Sequence, residues 1–159
     1  MNDDERALSP TGADFVPGSG IPIEPVTAIE GAAEAGNLGI KPLMVGNNVL
    51  LMESHREKGL VDPEHAHDDH ESICYLVRGR MRVVIDGKEF IAQPGDVWRH
   101  RLGVSHYHET LEDSLQIEIN RALYMNELSL ERAAGFDTLQ TNLTRFATVV
   151  CDYARSKTA

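Results

Sequence analysis

His65 and His67 stand one residue apart, just ahead of a strand-like run that ends at Gly79, and His106 lies near the end of a second such run. Side chains alternate faces along an extended chain, so residues i and i+2 point the same way with Cα atoms roughly 7 Å apart. Two imidazoles placed like this can share one metal. Neutral imidazole suits zinc, iron, copper, nickel or manganese better than calcium, so the pair reads as half of a transition-metal site.

The elements that must hold these residues are short strands. Between Lys41 and Asn120 the chain reads as β-type runs separated by turn signals: PLMV, NVLLMESH, SICYLV, RMRVVI, EFIAQ, DVWRH, SHYHE and SLQIEI. Asp86-Gly87 is the dipeptide of a tight hairpin, while Arg78-Gly79-Arg80 and Pro94-Gly95-Asp96 mark the flanking connections. A parallel sheet would need a crossover of a dozen or more residues at each connection, so the strands are expected to be antiparallel and to close into an all-β barrel or sandwich.

Residues 1–40 are rich in turn formers, with PTGADF, PGSG and PIEP, and read as an N-terminal arm. Its stretch from Ile21 to Val26 is a candidate edge strand for a neighbouring subunit. Residues 41–120 form the barrel. Residues 121–159 are expected to be helical: Asn126 or Ser129 can cap a first helix that ends at Gly135, and Asp137 a second. On the second, Leu139, Leu143, Phe146, Val150 and Tyr153 share one face, which would pack on the barrel or on a partner.

The formal net charge of −10 lacks the clustered Lys and Arg that phosphate neutralisation requires, which argues against a nucleic-acid partner. No apolar run approaches the roughly 20 residues of a membrane span. The start MNDDER has neither the basic nor the apolar part of a secretory signal, and Cys74 and Cys151 are too few for a disulfide framework. A cytoplasmic location is the expectation. A Gly-rich phosphate loop, a CxxC pair, an HExxH helix and a GxSxG elbow are all missing from the sequence, so a metal is the visible source of chemistry.

The stretch GLVDPEHAHDDHESICYLVRG, from Gly59 to Gly79, resembles the first motif of the cupin superfamily: glycine, five residues, His-x-His, three or four residues, Glu, six residues, glycine. Arg101-Leu102-Gly103-Val104-Ser105-His106 is similar to the second motif, and VVIDGKEFIAQPGDV to the segment that joins the two in small single-domain cupins. The resemblance covers about residues 43 to 120. It implies a double-stranded β-helix, or jelly-roll barrel, and a metal held by His65, His67 and His106.

Two positions depart from the family pattern. Ser72, separated from Gly79 by six residues, puts a hydroxyl where these proteins usually place a Glu or Gln ligand, and Glu71 is its neighbour. One residue of slip turns a strand side chain to the opposite face, so Glu71 serves as fourth ligand only if a bulge re-aims it. Arg101 replaces the proline of the second motif and offers either an anchor for a substrate carboxylate or a solvent-facing charge. His100 and His108 are candidates for pocket lining or acid–base work; His70 either gates the entrance or is exposed, and His55 has no constellation around it.

The reading that leads from the sequence is a mononuclear metal-dependent enzyme on a small oxygen-rich substrate, dioxygenase-like, with iron heading a list that includes zinc, manganese, nickel and copper. A redox-neutral isomerase, lyase or decarboxylase is one alternative, and a non-catalytic ligand-binding cupin is another. A homodimer is expected, because a barrel edge and an amphipathic helix both need cover.

Overall fold

A computed structural model of the chain describes residues 11–29, 32–47, 49–68 and 70–121. The expected C-terminal helices lie outside the described residues. Among the described residues, seven strands form one antiparallel sheet: β1 Glu24–Ile29, β2 Ala32–Val45, β3 Val49–Arg56, β4 Ser72–Ile85, β5 Lys88–Ala92, β6 Val97–His100 and β7 His106–Arg121. Their order is β1-β2-β3-β7-β4-β5, with β6 paired to β4. The mainly β, antiparallel architecture agrees with the sequence.

The strand count differs, and the reason is local. SICYLV and RMRVVI are one continuous strand, β4, and SHYHE and SLQIEI are one strand, β7. Gly79 does not end a strand. It sits inside β4 at φ +90°, beside the register shifts between Leu76 and Met81, where the long β4–β7 ribbon bends. A Cβ on Gly79 would lie 2.2 Å from Ser114 Oγ and 2.5 Å from the Asp113 carbonyl oxygen, so the bend needs both the glycine conformation and its missing side chain. Asp86 (φ 54°) and Gly87 (φ 70°) make the hairpin from β4 to β5, in the doubly left-handed form that matches strand twist.

The N-terminal region pairs within the chain. β1 adds to β2, and β2 to β3, so the candidate edge strand lies beside its own barrel; residue 40 falls within β2. Alternation then sorts the faces. Along β3, Leu50, Met52, Ser54 and Arg56 turn inward; along β4, Ser72, Cys74 and Leu76 do the same. Leu76, Met81, Val83 and Ala92 pack as one apolar cluster, with Ile85 and Trp98 against it. Leu38, Ile40 and Leu60 form a second. Ile73, Tyr75, Val77, Val97 and Ile119 face outward on adjacent strands and remain exposed.

Candidate metal centre

The segment before β4 runs antiparallel to β7 and is stitched to it by backbone bonds. Gly59 N–H donates to the Thr110 carbonyl (2.8 Å) and Asp62 N–H to the His108 carbonyl (2.9 Å). His65 and His106 then exchange N–H···O bonds in both directions, at 3.0 and 2.8 Å. Gly103 N–H donates to the His67 carbonyl (2.7 Å), so the turn that precedes His106 also holds the segment that carries His67. Two chain segments forty residues apart are thus locked side by side, and three imidazoles converge.

Their rings lie 4.4 to 5.1 Å apart, centroid to centroid, and one nitrogen from each falls within 4.8 Å of the others. The backbone also sets which nitrogen is offered. His65 Nδ1 is 2.7 Å from the Pro63 carbonyl and His106 Nδ1 is 2.9 Å from the Val104 carbonyl. A carbonyl only accepts, so Nδ1 carries the proton in both rings and Nε2 carries the lone pair. His106 is 1% exposed, and its Nε2 has no hydrogen-bond partner among the described residues. A buried, unpartnered lone pair is costly unless something electropositive meets it. Burial pushes His106 down to about 3 and also lowers His65, so both rings are neutral and able to ligate at neutral pH. The donor set and the orphaned nitrogen fit a divalent transition metal.

A second group of polar side chains lies behind this set. His100 stacks flat on His106, with centroids 3.9 Å apart and an interplanar angle of 7°, and His70, which is buried, stacks on His67 at 4.2 Å. His100 Nε2 lies 3.1 Å from His108 Nε2, and His108 Nδ1 lies 2.7 Å from Asp62 Oδ2. Asp62 also pairs with the buried guanidinium of Arg56. Burial alone would raise the Asp62 carboxyl; the Arg56 charge and the His108 hydrogen bond outweigh it and hold the group well below the usual carboxylate range. His100 is pushed far down, by burial first and by its histidine neighbours second.

The other residues singled out in the sequence divide by strand parity. Ser72 is fully buried and its Oγ lies 2.8 Å from His100 Nδ1, whereas Glu71 is exposed and faces the exposed Arg99 at 3.8 Å. No bulge re-aims Glu71, so it stays on the outer face. Arg101 is exposed in the turn before His106. His55 pairs with Glu53. Sequence reasoning missed Asp62 and Arg56. Asp62 lies 46 residues from His108, and only the ladder between its segment and β7 reveals the pairing.

A family profile described as a cupin domain matches residues 52–119. The pectin degradation protein KdgF of Dickeya dadantii (strain 3937) is 30% identical over 77 residues, which span 47% of this chain and 70% of that protein. The chain belongs to the cupin superfamily. Among solved cupin structures, KdgF from Halomonas sp. is 25% identical, over 54% of this chain and 81% of that one, with a TM-score of 0.52. An RmlC-like cupin from Shewanella frigidimarina NCIMB 400 is 21% identical, over 72% and 96%, with a TM-score of 0.62, and shares the fold. In this cupin the two histidine-bearing segments fall within the matched region, as the sequence resemblance implied.

Proposed function

We propose that this chain is a metal-dependent enzyme that acts on a small, oxygen-rich acid by redox-neutral chemistry, with His65, His67 and His106 as the metal ligands. The observation that carries the reading is the buried His106 Nε2, which has no hydrogen-bond partner among the described residues while its Nδ1 is tied to Val104. A redox-inert divalent ion bound there would polarise a substrate carbonyl or carboxylate oxygen, whereas iron(II) would open the dioxygenase-like route. The likeness to a pectin degradation protein supports a sugar acid as substrate, and isomerase- or lyase-type chemistry is the redox-neutral route that such a metal would offer it.

The chain's own residues divide the remaining work. His100 and His108 are held in a hydrogen-bonded row that ends on Asp62, so they buttress the ligand rings. Glu71 faces away from the site. His70 lies against His67 on the loop side, and we assign it the transfer of the substrate proton. The exposed outer face around Ile73, Tyr75 and Val97 supports a homodimer, which sedimentation of the full-length chain tests.

Incubating the metal-loaded protein with the sugar acids released by enzymatic digestion of pectin, with and without air, tests the chemistry. Conversion that proceeds equally without oxygen is expected, with His70→Gln lowering turnover and retaining the metal. Conversion only in air would replace this reading with the dioxygenase-like one. Binding without conversion would favour a ligand-binding cupin.

A further inference from the structure

Deeper in the barrel, β6, β4 and β7 turn a second set of donors toward one another. Cys74 and Glu118 are register partners across β4 and β7, and His100 lies on β6, which pairs with the other edge of β4. Cys74 Sγ, a His100 ring nitrogen and a Glu118 carboxylate oxygen all lie within 4.8 Å of one another. Cys74 is fully buried and His100 is 3% exposed.

The hydrogen-bond network holds the His100 ring in place. The Asp62 carboxylate takes the Nδ1 proton of His108, which leaves His108 Nε2 as an acceptor. His100 Nε2 lies 3.1 Å from it, and Trp98 Nε1–H points at both nitrogens, 3.1 Å from His100 Nε2 and 3.2 Å from His108 Nε2. His100 Nδ1, on the other side of the ring, lies 3.9 Å from Cys74 Sγ and 2.8 Å from Ser72 Oγ. A carboxylate that orients an imidazole through its far nitrogen is the arrangement that tunes metal-binding histidines; here it acts through a second imidazole.

An independent feature points to the same place. Gln116 is 1% exposed, and its amide nitrogen donates toward Cys74 Sγ (3.2 Å) and Glu118 Oε2 (3.1 Å), while its Oε1 has no hydrogen-bond partner among the described residues. One buried amide thus touches two of the three donors and keeps an unsatisfied acceptor beside them.

We propose that Cys74, His100 and Glu118 form a second binding site for a thiophilic divalent cation such as zinc, separate from the three-histidine set. The thiolate and the carboxylate match the charge of the ion, and sulfur with imidazole selects zinc-like metals over magnesium or calcium. Binding forms a sulfur–metal bond and releases the Cys74 thiol proton to solvent, with no change of oxidation state. His100 would then bridge the two centres mechanically, since its ring stacks on His106. This site does not depend on the reaction proposed above.

Titration of the metal-free, full-length chain with cobalt(II) tests it. Two cobalt ions per chain are expected, with a sulfur-to-cobalt charge-transfer band in the near ultraviolet. Cys74→Ser should abolish the band and one equivalent of binding; His67→Ala should keep the band, which separates failure here from failure of the three-histidine centre. Glu118→Gln, which preserves shape, should weaken the band-forming site at least tenfold and serves as the reference if Cys74→Ser does not fold. A chain that binds one cobalt without the band, or a band that survives in Cys74→Ser, overturns the proposal.

Discussion

His65 and His106 face each other as a bridge pair, exchanging backbone hydrogen bonds at 3.0 and 2.8 Å, and each ring is tied through Nδ1 to the carbonyl two residues before it. The same local device on two segments aims two Nε2 atoms at one point. Because these nitrogens are already oriented, metal binding to them should stabilise the fold with little reorganisation. At free metal about 100-fold above the dissociation constant the gain is about 2.7 kcal/mol. Manganese(II), which a thiol-containing site disfavours, should raise the thermal midpoint of the chain and leave that of His65→Ala unmoved. Equal shifts in both would contradict the assignment.

The Arg56–Asp62 pair is buried, and Asp62 also holds His108. Asp62→Leu leaves a guanidinium buried without its partner and should cost about 3–5 kcal/mol in urea unfolding. Arg56→Met with Asp62→Leu removes both charges and should cost clearly less. A double variant as unstable as the sum of the single ones would mean that the pair is not coupled.

Protonation runs against the fold. The folded-state values of His65 and His106 are lowered, the latter to about 3, so below the unfolded value near 6.5 the unfolded chain binds more protons. The metal-free chain should hold its full stability above about pH 6.5 and lose it as pH falls toward about 3, by up to about 1.4 kcal/mol per pH unit from His106. The depressed Asp62 carboxyl contributes stability above its unfolded value near 4, and loss of that contribution adds a further decline as pH falls below about 4. Denaturant midpoints that stay flat from about pH 7 to about pH 4.5 would refute this.

Gly79 and Gly87 both have positive φ, but only Gly79 has no room for a methyl group. Gly79→Ala should therefore cost more than about 2 kcal/mol, from backbone strain and overpacking together, and Gly87→Ala about 1 kcal/mol. Chemical denaturation of the two variants distinguishes them; equal costs would mean that the bend in β4 can relax.

What the sequence revealed was what spacing and turn chemistry encode. The His65/His67 pair, the Asp86-Gly87 hairpin and the alternation of β3 and β4 are local signals, and each is present in the structure. The continuity of β4 through Gly79 was not legible, because a glycine that permits a bend and a glycine that ends a strand look alike until the partner strand is known. Strand parity was enough to doubt Glu71, but only the register with β6 shows Ser72 bonded to His100. The row from Arg56 through Asp62 and His108 to His100 joins four segments across long sequence separations and leaves no periodic trace.

Elemental analysis of the full-length chain, purified without added metal and set beside His106→Ala and Glu71→Ala, measures the metal centre itself. His106→Ala should lose one equivalent of divalent transition metal per chain, and Glu71→Ala should keep the full complement, since its side chain lies on the outer face. Undiminished metal in His106→Ala would contradict the three-histidine site.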